Sequence, residues 1–305
     1  LFDRFVAEWA LGVPGVGGEL LRRGSVIPFF FSAVLFLGAM EMNRLLVARG
    51  FRPFKLASCL LTVVLFLLPW LAPAGVLGDS IADREGLYWP LVGVALALFT
   101  IGTLCVLRNN PTGTIQDGGA TLLTVLYLGF LGSFGLQLRC GLTAVHSHGV
   151  WLMLIVILVT KSSDIAGYLV GSCFGRHKLI PSISPGKTVE GAIGGLVGSG
   201  LAAVLLSSMW IFQINPHQGS QTHWVLSEMN RAFGAPLGKA FLFGVLLSGA
   251  AQIGDLFESC FKRDAGIKDS GSVMPHYGGI LDLVDSPLFA LPVAWFLLTR
   301  VWNIP

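Results

Sequence analysis

Asp255, Glu258, Ser259 and Lys262 stand at i, i+3, i+4 and i+7, the spacing that places side chains on one stripe of a helix. The opposite stripe, Leu256, Phe257 and Phe261, is apolar. Lys268 and Asp269 follow, then a segment rich in Gly, Ser and Pro that cannot be regular helix, then Gly278-Gly279, then Asp282 and Asp285 at the head of a new apolar run. Two helices are expected to meet across this polar loop. Asp255, Glu258, Asp264, Asp269, Asp282 and Asp285, with Lys262, Arg263 and Lys268 beside paired glycines, suit a site for divalent metal and polyphosphate. Carboxylates offer hard oxygen ligands, Lys and Arg neutralise phosphate oxygens, and glycines let backbone N–H groups approach an anion. A solvated loop between membrane helices would carry similar charges, so composition alone leaves both readings open.

A second polar region covers Ser163 to Gly195. Asp164 and Tyr168 lie one helical turn apart in an otherwise apolar helix, where a carboxylate is costly unless it faces protein, water or metal. The alternative is an Asp that pairs with Lys161 or caps a break. Arg176, His177, Lys178 and Lys187 follow in a loop whose Pro181 and Pro185 exclude helix. The run Ser184-Pro185-Gly186-Lys187-Thr188 ends like a nucleotide-binding P-loop, but Pro181 stands where that motif needs its first glycine.

These spacings resemble the signatures of CDP-diacylglycerol synthases, the membrane phosphatidate cytidylyltransferases. That family's S-x-x-K-R-x-x-x-x-K-D appears as Ser259 to Asp269, and the later P-G-H-G-G-x-x-D-R-x-D as Pro275 to Asp285. Its D-x-x-A-Y appears as Asp164 to Tyr168 with Gly167 at the Ala, F-G-[KR]-x-K-L as Phe174 to Leu179, and S-P-x-K-T-x-E-G as Ser184 to Gly191. Two positions depart: His276-Tyr277 replaces Gly-His, and Leu283 replaces an Arg, removing a bidentate phosphate donor. The similarity covers the C-terminal half; the N-terminal half shares only its apolar spans.

The resemblance implies that CTP and phosphatidate react to give CDP-diacylglycerol and pyrophosphate, with Mg²⁺ as cofactor and a second metal or a monovalent cation left open. It implies Asp255 and Asp282 as principal metal ligands, Asp269 completing the shell and Asp285 as a weaker ligand. Asp255, Lys262, Asp269 and Asp282 form the expected catalytic group. Lys262, Arg263 and Lys268 would hold phosphates, Ser259 would donate to a phosphate oxygen, and Arg176, Lys178 and Lys187 would form the other wall. Asp164, His276, Gly278 and Gly279 complete the expected substrate contacts. Rival readings are a CTP-dependent kinase of a polyprenol or phytol, a catalytically weak lipid- or nucleotide-binding scaffold, and a transporter built on Asp164 and Lys161.

The elements that must position these groups are apolar throughout. Hydrophobic residues make up 53% of the chain, charged residues 12%, and mean hydropathy is +0.73, the composition of a polytopic membrane protein. A net charge of +3 gives nucleic-acid binding little support. Spans of about twenty apolar residues, enough for roughly 30 Å of hydrocarbon, are expected near 26–46, 56–76, 87–107, 120–138, 150–170, 189–212, from 237 into the signature helix, and 280–302. The fold class is therefore all-α, an integral membrane protein of about eight transmembrane helices (seven to nine), with its active site at the cytosolic ends of the C-terminal helices. Residues 1–140 form an N-terminal transmembrane region of about four helices and 141–305 a catalytic transmembrane region, in one integrated membrane domain.

Connections after the first, third, fifth and seventh spans hold Arg44, Arg49, Arg52, Lys55, Arg108, Arg176, Lys178, Lys187, Lys262, Arg263 and Lys268, which places them in the cytosol. The expected location is a bacterial inner membrane, and a homodimer is left open. The first 24 residues lack the apolar core of a signal peptide and read as an amphipathic surface segment or a short arm. Cys59, Cys105, Cys140, Cys173 and Cys260 form no metal or disulfide spacing. With no strand expected before them, Gly191, Gly194, Gly195 and Gly198 read as close helix packing and not as a dinucleotide fold. Trp70, Trp89, Trp295 and Trp302 read as interfacial anchors.

Overall fold

The structure is a computed structural model that describes residues 24–71, 88–141, 146–212, 237–267, 271 and 278–301, with side chains left aside at 141, 146–151 and 208–212. The described residues are helical apart from one short hairpin. Helices α1 (Val26–Ala48), α2 (Lys55–Leu71), α3 (Tyr88–Leu107) and α4 (Thr114–Thr124) are followed by a π-helical segment (Val125–Phe130) and α5 (Leu131–Gly141). Then come α6 (His146–Phe174), β1 (Lys178–Ile180), β2 (Ser184–Thr188), α7 (Val189–Phe212), α8 (Leu237–Asp264) and α9 (Leu281–Phe296), the last running into a π-helical turn (Leu297–Val301). Among the described residues seven helical stretches are long and apolar enough to span a membrane, and α2 is a shorter apolar helix of 17 residues. They fall at the eight positions expected from hydropathy, and the protein is an integral membrane protein. The expected N-terminal segment and the last residues of the second and eighth spans lie outside the described residues.

The chain forms two compact units. One comprises Leu1–Gly141 with Asp264–Leu283, the other Leu142–Arg263 with Val284–Pro305. In the first unit, α2 packs against α1, α3, α5 and the π-helical segment. Leu61, Leu65, Ala97, Ile101 and Val125 make its core. Gly129 permits the tightest approach, since a Cβ there would lie 2.9 Å from the Thr62 carbonyl oxygen. Polar groups are paired inside this packing: Asn43 Nδ2 donates to Ser58 Oγ at 2.7 Å. Asp117, 5% exposed, accepts the Arg52 N–H at 2.7 Å and an Arg108 guanidinium N–H.

In the second unit α6 and α7 pack face to face through small residues. A Cβ on Gly191 would meet the Gly167 carbonyl oxygen at 2.8 Å, one on Gly194 the Val170 side chain at 2.5 Å, and one on Gly195 the Ser163 hydroxyl at 3.0 Å. The expected helix packing is present, although its premise needs correction: strand β2 does precede these glycines. It pairs antiparallel with β1, Lys178 opposite Thr188 and Ile180 opposite Ser184. Pro181 and Pro185 exclude helix from this stretch but allow an isolated two-stranded ribbon, which has no central strand for proline to disrupt.

Two further expectations change. Trp70 and Trp295 are 2% and 6% exposed, so they pack inside the protein instead of anchoring it at an interface. The first span, expected to end near residue 46, continues to Ala48, and its polar residues Glu41 and Asn43 are 1% and 2% exposed. All five cysteines are free.

Candidate active site

Helix α8 carries the signature stripe as its spacing requires. Glu258 and Ser259 are 1% and 8% exposed, so the polar stripe faces inward and not toward solvent. Gly254 brings the next helix close: a Cβ there would lie 2.5 Å from the Asp285 carbonyl oxygen and 3.1 Å from the Phe289 ring. Phe257 packs on Phe289 with ring centroids 5.5 Å apart, fixing the same contact one turn on. Asp285, 3% exposed, is thereby set beside Asp255 and Glu258. Carboxylate oxygens of these three residues lie within 4.8 Å of one another. Oxygens each 2.0–2.6 Å from a shared ion are separated by no more than about 5 Å, so the set fits one divalent cation.

Cationic side chains border the group. The Lys187 ammonium pairs with Asp255, the two side chains being 29% and 30% exposed. Lys262 Nζ lies 2.8 Å from Glu258 Oε2, with Lys262 only 13% exposed. Lys187 belongs to β2, so the hairpin supplies a charge that a continuous helix could not aim there.

A cavity of about 310 Å³ opens beside Asp255. Ser163, Asp164 and Tyr168 of α6 form one wall, Lys187 and Thr188 of the hairpin another, and Gln252 of α8 a third. Gly167, Gly171 and Gly191, without side chains, line its floor. The walls are fixed by hydrogen bonds among the helices. Ser163 and Ser248 hydroxyls are 2.6 Å apart, and Gln252 Nε2 donates to the Ala192 carbonyl at 3.0 Å. Asp164 accepts from Lys161 Nζ at 3.2 Å, so it both makes the expected local ion pair and lines the cavity.

Of the residues expected from sequence, Asp164, Lys187, Asp255, Ser259, Lys262 and Asp285 are thus in or near one site. Arg176 and Lys178 are exposed on the hairpin and are not among the residues lining the cavity. Arg263 donates from Nε to the Ile183 carbonyl at 3.0 Å, tying α8 to the hairpin. Asp282 occupies the first turn of α9 and accepts the Gly279 N–H at 2.7 Å. Gly278 has φ of +86°, and a Cβ there would lie 2.7 Å from Asp282 Oδ2; the glycine pair fits itself around this carboxylate. Lys268, Asp269 and His276 lie outside the described residues. Glu258 joins the group although the resemblance implies no ligand role for it; its place one turn after Asp255 on the same stripe is the available signal. Thr188 is part of the motif Ser184 to Gly191 but has no role assigned there, and Gln252 carries no signal beyond its proximity to Asp255.

Residues 3–301 match the Cytidylyltransferase family. A phosphatidate cytidylyltransferase of Synechocystis sp. is 31% identical over 294 residues, covering 88% of each chain. Phosphatidate cytidylyltransferase 5, chloroplastic, of Arabidopsis thaliana is 33% identical over 92% of this chain and 67% of its own length. The uncharacterized protein YnbB of Escherichia coli is 31% identical over 70% of this chain and 62% of its own. With a match that runs almost from end to end and a carboxylate–lysine site built from the signature residues, this membrane protein belongs to the Cytidylyltransferase family.

Proposed function

We propose that the protein is a phosphatidate cytidylyltransferase, converting CTP and phosphatidate to CDP-diacylglycerol and pyrophosphate for phospholipid synthesis. The observation that carries this reading is the group Asp255, Glu258 and Asp285, within 4.8 Å of one another and bordered by Lys187 and Lys262. Such a set holds a divalent cation against polyphosphate. Mg²⁺ suits its hard oxygen donors, and when bound it would neutralise phosphate oxygens and polarise the α-phosphorus.

The chain's residues position two anions that repel each other. A phosphatidate oxygen attacks the α-phosphorus, the bond from that phosphorus to the bridging oxygen breaks, and pyrophosphate departs with the bond's electrons. Lys187 and Lys262 hold phosphate oxygens as charge shifts to the leaving group. Asp164, Tyr168 and the glycine floor shape the adjoining cavity around a substrate. Asp282, held by Gly279, completes the acidic face of α9; of the signature residues, Lys268 would hold the same phosphates and Asp269 would complete the metal shell. The basic connections support a cytosolic position for this end of the protein, where CTP is available, with the acceptor lipid reaching it from a bacterial inner membrane.

The test is turnover of the purified, detergent-solubilised protein with labelled CTP, phosphatidate and Mg²⁺, with products identified. CDP-diacylglycerol and pyrophosphate, lost in Asp285→Asn and Asp282→Asn, are expected. Lipid phosphate with CDP would replace this reading by a CTP-dependent lipid kinase. Leu283 is 44% exposed, so Leu283→Arg has room for its side chain. A silent wild type activated by that change would identify a redirected relative that binds lipid or nucleotide.

A further inference from the structure

Glu41 belongs to the first helix, far in sequence from every signature residue, and is 1% exposed. A carboxyl group within an apolar span is costly to keep there without a use. Its Oε2 accepts the backbone N–H of Leu281 at 2.9 Å. Leu281 opens α9, so this is one of the helix N–H groups that has no partner within its own helix. The other oxygen lies against Gly271, where an added Cβ would collide with Oε1. Two turns further along α1's axis, just beyond its end, Arg49 Nε donates to both carboxylate oxygens of Asp264 at 3.1 and 3.0 Å. Asp264 closes α8. Glu41 and Arg49 therefore touch the chain at the end of α8, at Gly271 and at the start of α9.

We propose that Glu41 is a positioning residue for the cytidylyl-transfer site: it caps α9 from another helix and so fixes the turns that carry Asp282 and Asp285. Gly271 is the partner that leaves room for it. The cap would act on the first turn of α9, hence on how well its carboxylates hold a cation, and not on substrate contact. This inference rests on the reading of those carboxylates as cation ligands.

The full-length protein in detergent tests it by hydrogen–deuterium exchange and by Mg²⁺ titration of turnover. In Glu41→Leu, exchange in the peptide spanning Leu281 is expected to accelerate at least tenfold while peptides of α6 and α7 keep wild-type rates. The Mg²⁺ concentration for half-maximal turnover should rise at least fivefold, with the CTP KM within about twofold of wild type. Glu41→Gln keeps an acceptor oxygen and should restore most of both properties. If Glu41→Leu fails to fold, Gly271→Ala carries the test, because its methyl group must displace Glu41; accelerated exchange of the same peptide is expected. Wild-type exchange at Leu281 in the folded variant, or an unchanged Mg²⁺ requirement, overturns the proposal. Accelerated exchange in a protein whose wild type makes no CDP-lipid would break the functional reading and leave the cap standing. Unchanged exchange in an active protein would do the reverse.

Discussion

Asp117 and Asp255 are both aspartates inside apolar helices, both paired with a cationic side chain, and they are used in opposite ways. Asp117 has a side chain 8% exposed beside Arg108, with the Arg52 N–H as a further donor. Each of these partners donates a hydrogen bond to it, and its charge is spent on joining α4 to the end of α3 and to the turn between α1 and α2. Asp255 is 30% exposed and sits among two further carboxyl groups. Three carboxyl groups there meet two ammonium groups, Lys187 and Lys262. Burial with donors makes a joint, whereas partial exposure with competing acceptors makes a group that could hold a cation from outside the chain.

This contrast is broken most severely at the site itself. Asp255→Asn should lower turnover by about 10³-fold, roughly 4 kcal/mol of transition-state stabilisation, with the thermal unfolding temperature in detergent near that of wild type. Activity retained at a tenth or more of wild type would remove Asp255 from the chemistry. Asp117→Asn should do the converse. Breaking a buried pair costs about 3 kcal/mol, read as earlier thermal unfolding, while turnover per folded molecule stays the same. A selective loss of turnover would mean that the first unit's network reaches the chemistry.

Lys187→Ala should reduce kcat/KM for CTP about 10- to 100-fold, by removing a charge-assisted phosphate contact. Restoration of most activity by Lys187→Arg would show that charge alone is needed; an unaltered kcat/KM would leave Lys187 as a partner of Asp255 and nothing more. The smallest effect belongs to Arg49→Gln. Its pair with Asp264 is more than half exposed on both sides, so the change in stability should be below about 1 kcal/mol and should vanish at high salt. A larger, salt-independent loss would contradict the exposed geometry.

The stripe on α8 was readable because helical spacing fixes which side chains share a face, and Asp255, Glu258 and Lys262 obey it. The spans were readable because about twenty apolar residues in succession have few other uses. The hairpin was not, since prolines announce only what a segment cannot be. Nor could hydropathy separate Trp70 and Trp295, which are buried in protein, from tryptophans at a membrane surface; both settings are apolar on one side. Glu41 could not be recognised as buried, because polarity near a helix terminus reads as exposure. Its acceptor role depends on Leu281, 240 residues away, and no local pattern encodes such a partner.

Gly167, Gly171 and Gly191, without side chains, line the floor of the cavity, and α6 lies so close to α7 that a methyl group at Gly191 would meet the Gly167 carbonyl oxygen. A surface made of main chain has no side chain to exchange, so selection cannot retune it by ordinary single substitutions. Substrate preference in this lineage should then drift at the rim, at positions such as Tyr168 and Leu179, while the floor stays the same for as long as the two helices remain in contact.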